Sequence, residues 1–290
     1  MEQRLISFNE ELHKYTDENS SEYKSVTTVI GGYVPEFDKE YWSKYKAAQL
    51  GVTQEEILKD WAKTNKKSIV RGNKIHKELE DGIAKPIEIS NEEVVRNTIK
   101  RILLPRVTTL EEFLDSPLKA EYPSIYETIL GFLKLGWVCY PEFRVYSSLH
   151  FIAGTIDCLL IKGGEIVVSS KGVIIKDAEF KILDWKTNKD KLSFQSGYFK
   201  KKNGVKTDEF VRKLEYMDKP LDYIENCKGS IYTLQLSLYA KILELWGNTC
   251  QGLALYHIRP KMKPQLFKLP YWSESCDIML HDRSSKLILN

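Results

Sequence analysis

Three residues whose side chains can do metal or acid–base chemistry lie in two apolar stretches of the chain. Asp157 follows Gly154 in GTIDCLLI, and Asp184 and Lys186 interrupt the apolar run KILDWKT. If that run is a strand, side chains alternate between its faces, so Asp184 and Lys186 share one face. Charged side chains are seldom buried unless they are paired or bind a ligand. The sequence therefore predicts either a structural ion pair or a functional site.

Both readings have a physical basis. Two carboxylates on neighbouring strands can hold Mg²⁺, because that ion takes oxygen ligands and keeps several waters. A lysine beside the ion can orient a water molecule and stabilise charge on a phosphate, as hydrolysis of a phosphodiester requires. The plain alternative is a strand-face ion pair, because an isolated Asp-x-Lys is a short pattern that often has no function.

The elements that must position these residues can be read from periodicity and turn signals. Residues 5–30 are expected to form a short hairpin, and residues 38–130 mostly helices, one of them opened by a Thr53–Glu56 capping box. From residue 131 the pattern changes to an antiparallel meander of strands, followed by the helix IYTLQLSLYAKILELWG and the strand GLALYHI. We expect one α/β domain over 1–290, made of a hairpin and helical lobe (1–130), a core (131–260) and a C-terminal extension (261–290).

Composition excludes several classes of protein. The 290 residues are 42% hydrophobic and carry a net charge of only +3, so a nucleic-acid site would need local clusters of basic residues. The five cysteines are scattered and form no Cys-x-x-Cys, which argues against a disulfide framework or a cysteine-bound metal. The start of the chain lacks the pattern of a signal peptide, and no stretch is apolar enough to span a membrane. These features predict a cytoplasmic protein without a membrane partner.

Five short segments, in order, resemble the PD-(D/E)XK nuclease superfamily and specifically its RecB-type branch. They are SVTTVI, RGNKIHKELE, GTID, LDWKT and QLSLY, and together with the Trp61 helix they are most similar to the exonuclease subgroup that includes many phage proteins and the mitochondrial genome maintenance exonuclease. The resemblance implies a restriction-endonuclease-like core, with a central mixed sheet flanked by helices and an N-terminal helical lobe. It also implies Mg²⁺ or Mn²⁺ as cofactor. The cysteine positions do not match the iron–sulfur relatives, so no iron–sulfur cluster is expected.

The resemblance also implies roles for individual residues. The implied metal ligands are His76, Asp157, Asp184 and the main-chain carbonyl of Trp185. The implied catalytic residues are Lys186, Gln235 and Tyr239, with Glu142 as a less direct match whose role could be structural. The candidate nucleic-acid contacts are Ser25, Thr27 and Arg71, together with Tyr198, Lys200, Lys201 and Lys202 in YFKKKNGVK.

Each of these assignments has a structural alternative. Gln235 and Tyr239 lie on a helix that is mostly core, so the tyrosine could simply bond a neighbour. Ser25 and Thr27 could be ordinary helix caps, and the lysine run could be a solvated loop within the long 187–230 connection. The function expected from the resemblance is a DNA exonuclease that favours single strands or free ends. The alternatives are an endonuclease or flap nuclease, an RNA nuclease, and a non-cleaving DNA-binding module.

Overall fold

The protein is an α/β structure in which helices flank a central mixed sheet, as the sequence predicts. This computed structural model describes residues 6–9, 14–17, 19–84, 107–169, 172–202 and 205–288. The part of the predicted helical lobe at 85–106 lies outside the described residues. No helix within the described ranges combines the length and apolar composition that crossing a bilayer requires.

The strands of the described residues form one large sheet and two separate hairpins. The strands are β1 (Ile6–Asn9), β2 (Lys14–Asp17), β3 (Glu22–Ser25), β4 (Val138–Ser147), β5 (Ile152–Lys162), β6 (Glu165–Ser169), β7 (Gly172–Lys176), β8 (Glu179–Lys186), β9 (Gly197–Lys202), β10 (Val205–Arg212), β11 (Thr249–His257) and β12 (Gln265–Leu269). The strand order in the large sheet is β1-β2-β3-β5-β8-β11-β12, and β4 also pairs with β5. The β3–β5 and β8–β11 pairs are parallel, and the other pairs in this sheet are antiparallel.

Helices cover both faces of the sheet. They are α1 (Val26–Gly31), α2 (Lys39–Leu50), α3 (Gln54–Ile83), α4 (Leu110–Leu114), α5 (Leu118–Glu121), α6 (Pro123–Lys134), α7 (Lys228–Leu245) and α8 (Ser273–Ile288). One hydrophobic cluster packs α1, α7 and α8 on one face of the sheet. A second cluster packs α3, α4, α5 and α6 on the other face. The two clusters divide strand β8 as expected, because Ile182 belongs to the first and Leu183 and Trp185 to the second.

Two local predictions fail for identifiable reasons. The segment VTTVI, expected within a hairpin, forms α1, because Ser25 ends β3 and its hydroxyl accepts a hydrogen bond from Thr28 N at 3.0 Å. The connection 187–230, expected to be a long loop, contains the β9–β10 hairpin. The meander prediction holds for β4, β5 and β8, but β6 and β7 pair only with each other among the described strands.

Helix α3 begins at the predicted capping box. Thr53 and Glu56 form the predicted reciprocal capping box, and the helix then runs for 30 residues to Ile83. Gly82 lies inside the helix, at a point where the helix packs closely on Leu118. A Cβ at position 82 would lie 2.5 Å from Leu118 Cδ2 and 2.6 Å from its Cγ.

We therefore expect Gly82→Ala to lower the free energy of unfolding by about 1–2 kcal/mol, because the clash in the core outweighs the gain in helix propensity. Urea unfolding measures the change. Gly31→Ala is the matched control, because this helical glycine has nothing within 4 Å of an added Cβ. A Gly82→Ala protein as stable as its parent would contradict the close packing described here.

Candidate active site

The sheet forks where three acidic residues meet. On one side, β5 pairs first with β3 at residues 152–153 and then with β8 from Cys158 onward, which leaves Asp157 at the fork. The β4–β5 register on both sides of Glu142 places it opposite Asp157. Continuing the β5–β8 register by one position past Leu183 places Asp184 beside Asp157. Glu142, Asp157 and Asp184 therefore form a row across three adjacent strands.

The alternation of side chains between the two faces of β5 is interrupted at Asp157, in the middle of this row. Ile156 and Leu159 belong to the cluster under α7, whereas Cys158 belongs to the cluster on the other face. Strict alternation would put Ile156 and Cys158 on the same face, so β5 shifts by one residue at Asp157. On β4, Glu142 has a φ of 50°, a left-handed conformation that is uncommon for a non-glycine residue. Backbone outliers of this kind often occur at functional sites.

Asp157 is the most highly connected carboxylate in the row. Its Oδ2 accepts a 2.7 Å hydrogen bond from the backbone N–H of Trp185, and its Oδ1 lies 3.5 Å from Nδ1 of His76 on α3. Burial disfavours the charged form of Asp157. The imidazole of His76, the charge of Lys186 and the Trp185 bond outweigh that effect and lower the pKa of the carboxyl group. Asp157 is therefore a buried carboxylate held in its ionised form.

A chain of polar contacts leads from Asp184 to helix α7. Lys186 Nζ lies 2.6 Å from Asp184 Oδ2 and donates a 3.0 Å hydrogen bond to Gln235 Oε1. Gln235 Nε2 in turn donates to the hydroxyl of Tyr239 at 3.1 Å. The Tyr239 ring packs on Gly154, where a Cβ would lie 2.5 Å from its Cε1. The glycine of GTID therefore makes room for the tyrosine of QLSLY.

Tyr232 was not identified from the sequence, yet it contacts the central lysine. Lys186 Nζ lies 4.7 Å from the centre of the Tyr232 ring, and the Tyr232 hydroxyl bonds Asn188. Burial opposes the charge of Lys186, but the negative charges of Asp184 and Asp157 raise its pKa above the ordinary lysine value. Tyr232 lies three residues before Gln235 on the same helix, so helical spacing alone could have added it to the predicted set.

The described site crowds three carboxyl groups against one histidine and one lysine. Burial and the Asp157 charge raise the pKa of Glu142 to about 8. Burial, only partly offset by Lys186, raises the pKa of Asp184 to about 6. For His76, burial favours the neutral form, but the charges of Asp157, Asp184 and Glu142 outweigh it and raise the pKa to about 9. All three pKa values are raised, so these buried groups hold protons more tightly than they would in water.

The donor set fits a divalent cation. Among the described residues, one ligand atom each from His76, Glu142 and Asp157 lie within 4.8 Å of one another. Asp184 is not part of that group, but its buried Oδ2 lacks a hydrogen bond of good geometry even though Lys186 is close. Carboxylate oxygens with one imidazole suit Mg²⁺ or Mn²⁺. Metal binding by Asp184 and by the Trp185 carbonyl stays a prediction, and Glu142 joins the candidate ligands.

An open cleft of about 790 Å³ gives access to these groups. Its walls include every predicted catalytic and metal-binding residue except the buried Asp184, as well as Ser25 and Thr27. Ser25 caps α1, and its hydroxyl lies 2.9 Å from that of Thr27. The capping role of Ser25 is therefore confirmed, and a role of either residue in nucleic-acid contact stays a prediction. The walls are formed by Tyr15, Ser25, Thr27, Ser68, Ile69, Gly72, Asn73, His76, Lys77, Glu80, Glu142, Gly154, Thr155, Asp157, Trp185, Lys186, Thr187, Asn188, Tyr232, Gln235 and Tyr239.

The other predicted nucleic-acid contacts are not part of the cleft wall. Arg71 follows the wall residue Ile69 by two positions on α3, and its Nε is buried without a hydrogen-bond partner among the described residues. Tyr198, Lys200, Lys201 and Lys202 lie on the exposed strand β9. There Lys200 forms an ion pair with Glu209, and Lys213 lies 5.8 Å from the Tyr198 ring. The structure thus brings the predicted catalytic and metal-binding residues together, and the predicted contact residues on β9 lie outside that group.

The raised pKa of His76 has a consequence for stability. A histidine whose pKa is about 9 in the folded state and about 6.5 in the unfolded state stabilises the metal-free fold fully below about pH 6.5. That contribution is lost as the pH rises through about 9. We expect His76→Gln to be more destabilising near about pH 6 than near about pH 10, measured by urea unfolding in chelator. His281→Gln, at an exposed histidine, is the matched control. A loss of stability in His76→Gln that does not change with pH would contradict the contact with Asp157.

Comparison with known proteins adds little. No protein-family model and no curated protein matches the chain. Among solved structures, the crystal structure of SSO0001 is similar over 76% of this chain and 86% of its own, at 12% sequence identity and a TM-score of 0.23. Neither fold family nor function follows from a similarity this low.

Proposed function

We propose that this protein is a metal-dependent nuclease with a PD-(D/E)XK core of the RecB type, acting on DNA as an exonuclease. The observation that carries the proposal is the row Glu142–Asp157–Asp184 with Lys186 beside it, next to an open cleft. Glu142, Asp157 and Lys186 line that cleft, and Asp184 is buried beside Asp157. The sequence resemblance supplies the family, and the site geometry supports it. The isolated structural ion pair is less favoured, because Asp184 and Lys186 adjoin two further carboxylates and a histidine.

The residues that would hold the ion are His76, Glu142, Asp157 and Asp184. When bound, Mg²⁺ or Mn²⁺ supplies positive charge for the phosphate oxygens and lowers the pKa of water. The row of carboxylates is preorganised for such an ion, because the β-sheet register and the Trp185–Asp157 hydrogen bond fix their positions.

Lys186 would hold the attacking water and stabilise charge that develops on the phosphate. Gln235 orients its ammonium group, and Tyr239 orients Gln235 in turn. The Tyr232 ring supports the ammonium group from a third direction, which limits its rotation. Because α7 is largely buried, this support is rigid, and a lysine held this way loses little entropy when substrate binds.

Substitution of Lys186 separates catalysis from simple ion pairing. We expect Lys186→Ala and Lys186→Arg each to reduce turnover by at least about two orders of magnitude, the scale of losing one electrostatic stabiliser. Arginine should not substitute, because its planar guanidinium cannot occupy the same space between Asp184 and Gln235. Lys181→Ala on the same strand is the control, because its Nζ bonds Gln251 O at the other end of β8. Near-normal turnover by Lys186→Arg would leave only the structural role.

The mode of cleavage is tested by removing ends from the substrate. We expect degradation of end-labelled linear single-stranded DNA in Mg²⁺, slower attack on blunt duplex and little attack on a circular single strand of the same sequence. Chelator and Asp184→Ala should each abolish the reaction, because both remove part of the proposed metal site. Equal rates of cleavage of linear and circular strands would show that no free end is needed and would favour an endonuclease. Cleavage in excess chelator would refute the metal site.

A further inference from the structure

A buried histidine lies at the end of the sheet, beside the catalytic lysine's strand. His257 ends β11, is paired with Lys186 in the parallel β8–β11 register and is only 1% exposed. Its Nε2 donates a 2.8 Å hydrogen bond to the backbone carbonyl of Asn188. Because Lys186 and Asn188 both line the cleft, His257 lies directly beside the cleft wall.

Two helices bring basic residues to the same end of the sheet. Arg71 precedes Gly72 on α3, and Gly72 packs on the residue that follows β8, because an added Cβ would lie 3.2 Å from Thr187 Oγ1. Lys228 begins α7, one helical turn before Tyr232, which lines the cleft. Both basic residues therefore belong to elements that form the cleft.

A third basic residue, Arg259, follows His257 by two positions. Burial lowers the pKa of His257 despite its hydrogen bond to Asn188. The charges of Arg259, Lys228 and Arg71 lower this pKa further, so all three lie close enough for the ring to feel their charges. We call Arg71, Lys228 and Arg259 the basic cluster.

The described residues provide no counterion for the basic cluster. No carboxylate in the described part of the chain forms an ion pair with any of its three side chains. The Nε of Arg71 is also buried without a hydrogen-bond partner among these residues. Repulsion between like charges and an unsatisfied buried donor both cost free energy, and a bound anion would remove both costs.

We propose that the basic cluster is a phosphate subsite on the Asn188 side of the cleft, which holds a second phosphate of the nucleic-acid strand besides the one that is cleaved. Guanidinium and ammonium groups bind phosphate through charge-assisted hydrogen bonds. Lys228 is exposed and Arg259 half-buried, so a ligand can reach them. An acidic peptide would also suit the charge, but the adjoining cleft favours the strand that occupies it. The inference rests on the proposed function for its choice of ligand.

The experiment is fluorescence anisotropy with an internally labelled oligothymidine of about twelve nucleotides, measured against salt concentration in chelator so that no cleavage occurs. We expect Lys228→Gln/Arg259→Gln to weaken binding by at least about tenfold and to reduce the slope of log affinity against log salt by about 1. The matched control is Lys134→Gln/Lys162→Gln, which removes the same charge at two exposed lysines. A test variant that binds within about twofold of this control would overturn the proposal.

A variant that keeps the charges separates charge from folding. Lys228→Arg/Arg259→Lys should bind close to the parent affinity, and a loss as large as that of the glutamine variant would contradict a phosphate site. Oligothymidines with a 5′-phosphate, a 3′-phosphate or neither identify the source of the phosphate. If the glutamine variant loses a preference of the parent for one phosphorylated end, the ligand is a terminal phosphate. Equal weakening for all three oligomers identifies an internal phosphodiester.

Hydrolysis of bis(p-nitrophenyl) phosphate by the parent protein in Mn²⁺ tests the proposed function separately, because this diester has a single phosphate. Hydrolysis without the expected loss of oligothymidine affinity in the glutamine variant would overturn the subsite and leave the nuclease. The expected loss of affinity without hydrolysis would support the subsite and count against the nuclease.

Discussion

The site depends on how the protein keeps a buried carboxylate ionised. Asp157 lies at the fork of the sheet, and removing its charge from water is costly unless partners compensate. The backbone N–H of Trp185, the imidazole of His76 and the charge of Lys186 compensate together. His76 comes from α3, and Trp185 and Lys186 come from β8, so the positions of α3 and β8 relative to β5 are coupled to this one carboxylate.

The sequence predicted those parts of the fold that local patterns decide. Alternation in β8 and the apolar run of α7 are local, and Thr53 and Glu56 are sufficient to start α3. The phase shift at Asp157 could not be predicted in this way, because it appears only when two strands pair and their hydrophobic faces are compared. The end of β3 was misjudged for a similar reason, since a single serine cap decided between strand and helix.

The same distinction applies to the candidate site. Spacing placed Asp184 and Lys186 together correctly, because residues two apart on a strand share a face. Resemblance supplied His76 and Gln235, which lie far from β8 in sequence but close to its end in space. The place of Glu142 in the site could not be predicted from spacing, because it depends on the β4–β5 register, which sets Glu142 opposite Asp157. Tyr232 was missed even though its helical spacing from Gln235 was visible.

The two walls of the cleft are anchored very differently. Twelve residues of α7 are buried, so Gln235 can leave Lys186 only if a large part of the core opens. The fully buried residues of helix α3 lie near its two ends, and between Ile57 and Leu79 its side chains are at most partly buried. Opening free energies in proteins follow such differences, from small values in sparsely packed segments to the global stability in the core. Helix α3 is therefore the side on which we expect the cleft to open first, while the lysine on the opposite wall stays in register.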